Sequence, residues 1–155
     1  MESFGYRVLQ KPLESLNIVY PKKQLDSIID QDVINIDKNL LKSAISNTEG
    51  KIDIVGQSGL RRIMQFETRS GNIVQNSKPL KFNYQYKNDI LNSYGRIFSM
   101  NNIKKYSSKI YNICNNILNS KGIVLIYSQF IEGGVVPIAL ALEELGFSRS
   151  VSYTH

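Results

Sequence analysis

Ser128 and Gln129 close a short apolar run, and the pair Gly133–Gly134 follows just before an apolar-periodic stretch. Two adjacent glycines at a helix start present N–H groups with no side chain in the way, an arrangement suited to holding an anion. The chemistry on offer is therefore binding of phosphate rather than its transfer. Lys109, Arg61 and Arg62 are further cations able to meet phosphate oxygens. Each has a plainer structural reading. Ser128 and Gln129 also serve to end a strand and satisfy loop backbone, and Arg61–Arg62 to form a solvated basic face on a packing helix.

Reaction chemistry has less to work with. The chain holds no Gly-x-x-x-x-Gly-Lys-Ser/Thr loop and no Asp-Glu-x-His or Asp-Glu-x-Asp string, so the parts that cradle and hydrolyse a nucleoside triphosphate are not in it. One cysteine, Cys114, and one histidine, His155, are too few for a structural zinc site. No Gly-x-Ser-x-Gly nucleophile motif occurs. We therefore assign no catalytic residue and no metal ligand. Cys114 falls on the apolar side of a predicted helix and reads as a buried packing thiol.

The elements that must position the candidate residues are a strand and two helices. Ile123–Tyr127 is an unbroken apolar run, which predicts a strand covered on both faces in a parallel sheet. Val135, Ile138, Ala139, Leu142 and Leu145 recur at helical spacing; Pro137 fits the first turn and Gly146 a left-handed helix end. Ile103, Tyr106, Ile110, Ile113, Cys114, Ile117 and Leu118 predict one long helix over about 101–119, with Ser99 as its cap. Helix, strand, helix is the order an α/β sheet needs.

Upstream the pattern is looser. Leu9, Leu13 and Leu16 share helical spacing, with Pro12 placed near a helix start; Ile18–Pro21 reads as extended. Asp37 caps a helix carrying Leu40, Leu41, Ala44 and Ile45. Lys51–Val55 is a weak strand or simply extended. Ser58 caps a short helix with Leu60, Ile63 and Met64 inward. Residues 67–85 read as loop, with a hairpin about Gly71. Phe82, Tyr84 and Tyr86 alternate as a short strand whose rings serve either the core or base stacking. A short helix over Tyr86–Tyr94 ends at Gly95.

A hydrophobic fraction of 42% is ordinary for a globular chain, and no apolar run reaches the roughly 20 residues of a membrane helix, so no membrane partner is expected. With a single cysteine no internal disulfide forms, which predicts a reducing, intracellular setting. Nineteen Lys and Arg against 13 Asp and Glu give a net charge of +6, with the lysines dense over 78–109. That field favours polyanions, and it also reads as a solubilising surface.

The string Gly122-Ile-Val-Leu-Ile-Tyr-Ser-Gln-Phe130, continuing through Gly133–Gly134 to Leu-Glu-Glu-Leu-Gly-Phe147, resembles the start of the second RecA-like domain of superfamily-2 helicases. It is most similar to the helicase and early-transcription ATPase family of large DNA viruses, over about 95–147. Pro12–Pro21 and Gly56–Phe66 resemble that family more thinly. The resemblance implies an α/β fold, a partial RecA-like (P-loop NTPase-type) parallel sheet unit at 95–155, preceded by a mainly helical, loop-rich insertion at 1–94. It implies a non-catalytic piece of an ATP-dependent helicase or translocase, lying along the nucleic-acid track. Ser128, Gln129, Gly133 and Gly134 would contact the backbone of DNA or RNA. Tyr106-Ser-Ser-Lys109 departs from the family's Ser-Gly-Lys, with Ser108 in place of glycine, which weakens any specific role for Lys109. The Gln-x-x-Gly-Arg-x-x-Arg string that supplies arginine fingers is missing too. ATP and Mg²⁺ are thus expected for the intact parent and no cofactor for this chain, with the remaining helicase domains as partners and host cytoplasm or virion as location. One β-α unit cannot close a sheet, so Ile123–Tyr127 is expected to leave apolar faces exposed. Two other readings stand beside this one: a basic, non-catalytic module docking an acidic protein or nucleic acid, and a small α/β enzyme with an unrecognised site.

Overall fold

The computed structural model describes residues 4–29, 37–67 and 83–148. Helix α1 (Phe4–Ser15) contains Pro12 in its interior rather than at its start, and it ends where Asn17 N and Ile18 N both donate to Glu14 O. Ile18–Pro21 runs extended, as its proline predicts. Val19 N donates to Tyr106 O at 3.1 Å and Tyr20 N to Ile54 O at 2.8 Å, so this strap is stitched to two distant segments. Helices α2 (Lys23–Ile29) and α3 (Lys38–Ile45) follow, and Asp37 caps α3 by accepting from Asn39 N at 2.8 Å. Ile52 makes only an isolated bridge to Ser46.

Helix α4 (Gly56–Ile63) begins two residues before Ser58, and no side chain caps it. It runs straight into β1 (Met64–Glu67), so Met64 is strand rather than helix. β1 pairs antiparallel with β2 (Asn83–Tyr86), with Met64 opposite Tyr86. The hairpin expected about Gly71 and the ring of Phe82 lie outside the described residues. Helix α5 (Asn88–Tyr94) ends at Gly95, as its sequence predicts.

The long helix expected over 101–119 is two: α6 (Met100–Tyr106) and α7 (Ser108–Leu118). Ser107 between them is extended, and its hydroxyl does two jobs. It accepts from Ile110 N at 2.9 Å, capping α7, and donates to Asn17 O in the strap after α1. A buried hydroxyl with two backbone partners outweighs one more turn of unbroken helix. Helix α8 (Val136–Glu144) closes the described fold, with Pro137 in its first turn and Gly146 beyond its end at φ +93.

The core gathers Ile18, Tyr20, Leu60 and Ile63 with Ile97, Phe98, Ile103, Ile110, Cys114 and Ala141 in one cluster, drawing on both sides of the boundary expected at 94/95. Cys114 is buried within it, as its helical position predicts.

The fold class expected from the sequence is overturned. The described residues are mainly helical, and their only sheet is the two-stranded antiparallel β1–β2. No parallel RecA-like sheet forms among the described residues. A parallel sheet needs a second strand beside the first, and Gly122–Tyr127 has none among the described residues. Helix α8 packs on α6 and α7 instead of covering a sheet face. Burial in this chain is thus achieved helix on helix.

Candidate nucleic-acid interface

The segment Gly122–Tyr127 forms no strand or helix, and no hydrogen bond joins its backbone to another described residue. Ile123, Leu125 and Tyr127 are 104%, 93% and 89% exposed, and Val124 is exposed as well. The β-branched composition of a strand is present, while no ladder partner stands beside it among the described residues. The apolar exposure expected for this run is found, and it is larger than an edge strand of a formed sheet would show.

Beyond the run the chain turns on Ser128. Its Oγ accepts from Phe130 N and donates to Phe130 O, both at 3.1 Å. The Phe130 carbonyl also accepts from Val135 N at 3.0 Å, a five-residue closure that makes Ile131–Val135 a π-helical turn leading into α8. Such wide turns are costly unless something needs the backbone there. Here the need is close approach: a Cβ on Gly134 would stand 2.3 Å from Ser128 Oγ, and one on Gly133 3.0 Å from Cγ of Glu14. Ser128, Gly133 and Gly134 are therefore brought together, as their proximity in sequence suggests. The glycines, however, are buried and packed. Gln129 is exposed at the turn.

Glu14 was not singled out by its sequence context. It is the one buried side chain described in α1, and its carboxylate accepts from Gln10 Nε2 at 3.1 Å and Lys11 Nζ at 2.9 Å. The same carboxylate lies against Gly56, which opens α4 with φ +57; a Cβ there would fall 2.3 Å from Oε2. Glycine is required at this position twice over, by conformation and by space. Gln57 donates to Glu132 Oε1 at 2.9 Å and Tyr20 Oη to Glu132 O at 3.4 Å, tying α4 and the strap to the π turn. Burial, with Glu14 nearby as a second cause, pushes the Tyr20 hydroxyl well above the ordinary tyrosine range.

The remaining basic candidates divide. Lys109 is exposed on the first turn of α7 and donates to Asn17 Oδ1 at 2.8 Å, near exposed Lys104 and Lys105 in sequence. Arg61 is exposed on α4. Arg62 turns inward: it donates to Asp53 O and Tyr20 O, both at 3.4 Å, and stands 3.9 Å from the Asp53 carboxylate. Burial pulls its guanidinium below the usual arginine value, with Asp53 opposing. Asp53 also accepts from buried Lys22 Nζ at 2.9 Å, and Lys22 reaches Ser46 O at 2.6 Å. Arg62 is thus held by two backbone carbonyls beside Asp53, while Arg61 and Lys109 lie exposed.

The aromatic strand resolves toward packing. Tyr86 Oη donates to Glu144 Oε1 at 2.7 Å and accepts from Phe98 N at 2.9 Å, while Arg96 lies 5.8 Å above its ring and pairs with Glu144 at 2.9 Å. A groove of about 410 Å³ opens between Tyr84, Arg96 and Glu144, but this ion pair already covers the Tyr86 face where a base would stack.

No protein-family model, curated protein or solved structure matches this chain. Among the described residues no three His, Cys, Asp or Glu converge to hold a metal ion, and no helix is long and apolar enough to cross a membrane.

Proposed function

We propose that this chain is a non-catalytic part of a larger nucleic-acid-handling machine of the superfamily-2 helicase class, and that it meets its partners through Gly122–Gln129. The observation that carries the reading is the unpaired run itself: Ile123, Leu125 and Tyr127 lie almost fully exposed, with no ladder partner among the described residues. A strand of this composition left in water is costly, so the working state supplies what covers it. The resemblance at 95–147 names the class of machine, whose other domains would carry ATP, Mg²⁺ and the hydrolytic groups. In that setting Ser128 and Gln129 lie beside the backbone of DNA or RNA, with exposed Lys109 and Arg61 adding to the attraction. The net charge of +6 supports a polyanionic partner.

The test is a salt titration of binding to single-stranded DNA and RNA oligonucleotides, read by fluorescence anisotropy. Affinity should fall linearly with the logarithm of salt concentration. Gln129→Ala and Lys109→Ala should weaken it, and ATP turnover with or without oligonucleotide should stay at background. Salt-insensitive binding, or nucleic-acid-stimulated turnover that survives a contaminant control, would overturn the reading.

A second reading has its own observation. The apolar exposure at 123–127 suits a protein surface as well as it suits a sheet, and Arg62, Gly133 and Gly134 are withdrawn from solvent. On that reading the chain is a basic module docking an acidic protein. It predicts no oligonucleotide binding at low salt and loss of partner binding on Leu125→Ser.

A further inference from the structure

We infer that the partner covering Gly122–Ser128 is a second copy of this chain, the two runs pairing antiparallel about a two-fold axis at Leu125. The inference rests on the unpaired run of the reading above and names what covers it. It needs no nucleic acid, so the two can fail separately.

Exposure along the run alternates with a period of two. Ile123, Leu125 and Tyr127 are 104%, 93% and 89% exposed, whereas Val124 falls to 44% and Ile126 packs, partly buried, against the core. That is the side-chain period of a strand with one face seated on its own body. The seat is built, and the neighbouring strand is what the described residues lack. A nucleic-acid backbone does not offer donors and acceptors at strand spacing; another strand does.

The composition makes the run its own complement. Pairing about Leu125 sets each copy's Ile123 opposite the other's Tyr127 and Val124 opposite Ile126, with the two Leu125 side chains meeting at the axis. Ile with Tyr is a β-branched–aromatic pair of the kind that stabilises antiparallel strands. Charge favours the same register. Gly122–Ile131 holds no charged residue in a chain of net charge +6, and the first charge before it, Lys121, falls opposite uncharged Gln129. Parallel pairing in register would set Lys121 beside its own copy, which like charges oppose. The contact is isologous and closes at two copies. Leu118 and Ile131, 52% and 67% exposed, flank the run in sequence and add apolar surface.

Sedimentation equilibrium on the full chain should give a mass that rises with concentration toward twice 17.6 kDa. Added salt should strengthen the dimer by screening the +6 charge of each copy, the reverse of its effect on oligonucleotide binding. Leu125→Lys, which sets two cations face to face, and Ile123→Lys should each weaken dimerisation about tenfold. Ile123→Lys combined with Tyr127→Glu should restore it, because each lysine then faces a glutamate. A wild type still monomeric at about 1 mM overturns the pairing. So does a dimer that Leu125→Lys leaves intact, or a double variant no better than Ile123→Lys alone. Should a variant fail to fold, a wild-type mass that falls with added salt is enough to reject it. Oligo(dT) binding by a monomeric wild type keeps the nucleic-acid reading and removes the pairing; a rescued dimer that binds no oligo(dT) does the opposite.

Discussion

Gly59→Ala tests the packing that holds the candidate surface in place. Gly59 lies inside α4, and in an exposed helix the change to alanine would stabilise by about 1 kcal/mol. Here a Cβ would stand 2.3 Å from Cδ2 of Tyr20 and 2.8 Å from the carbonyl carbon of Ile54. Carbon atoms rest comfortably at about 3.5 Å, so the methyl group is about 1.2 Å too close to the ring and about 0.7 Å too close to the carbonyl carbon. Neither neighbour yields cheaply. Tyr20 is fully buried and set edge-on to Phe98 at 6.4 Å, and the Ile54 carbonyl accepts the Tyr20 N–H at 2.8 Å. Overpacking of this kind costs about 3 kcal/mol at the upper end of its usual range. Set against the helix gain, the net change is a loss of about 2 kcal/mol. Urea unfolding followed by circular dichroism should show a midpoint lowered by about 1 M. Gly122→Ala, whose Cβ would meet nothing within 4 Å, serves as the control and should shift nothing. A Gly59→Ala midpoint equal to or above wild type would mean that Tyr20 is not seated on α4, and the path from Tyr20 to the π turn would fail with it.

Three further outcomes follow from the same geometry. Ser107→Ala removes the α7 cap and the bond to Asn17 O together, so stability should drop by about 2 kcal/mol in the same urea assay; an unchanged midpoint would deny that this hydroxyl breaks the helix. Burial raises the Tyr20 pKa, so folded and unfolded states hold the proton alike below about pH 10, and above it the unfolded state releases the proton first. Stability should therefore fall as pH rises beyond about 10, this residue contributing a slope of about 1.4 kcal/mol per unit. Tyr20→Phe, which loses only a 3.4 Å bond to Glu132 O, should cost about 0.5 kcal/mol at pH 7 yet flatten that alkaline slope; an unaltered slope would place the hydroxyl in solvent. Leu125→Ser should leave monomer stability within about 0.5 kcal/mol and reduce self-association in light scattering, because the side chain it replaces packs on nothing; a large loss of stability would show that the run is covered after all.

The surface this arrangement presents is unusual in its economy of polar groups. Asp53 serves both Lys22 and Arg62, Glu144 serves both Tyr86 and Arg96, and every buried described side-chain polar atom has a partner. Charges that sequence reading would spread over a binding face are thus held in the frame of the fold. What remains outward is apolar backbone at 122–127 and the cations of α6 and α7, which is why the proposed interface sits there.

Sequence alone determined the features that close within one turn of chain. Amphipathic spacing marks α8 and the helical character of 101–119 though not its break at Ser107, Asp37 caps α3, Gly95 and Gly146 stand where helices end, and Cys114 faces inward. A helix satisfies its own backbone, so its signal is local and survives being read one window at a time. Tertiary structure decided everything that needs a second segment. Ser107 breaks a helix because a carbonyl ninety residues away in sequence accepts a hydrogen bond from its hydroxyl. Arg62 turns from solvent because Asp53 and Tyr20 offer it oxygens. Glu14 is buried because glycines at 56 and 133 leave it room, and neither neighbourhood mentions the other. The run at 123–127 carries the composition of a strand, but a strand is a relation between two chains of hydrogen-bonding groups, and the described residues hold only one of them.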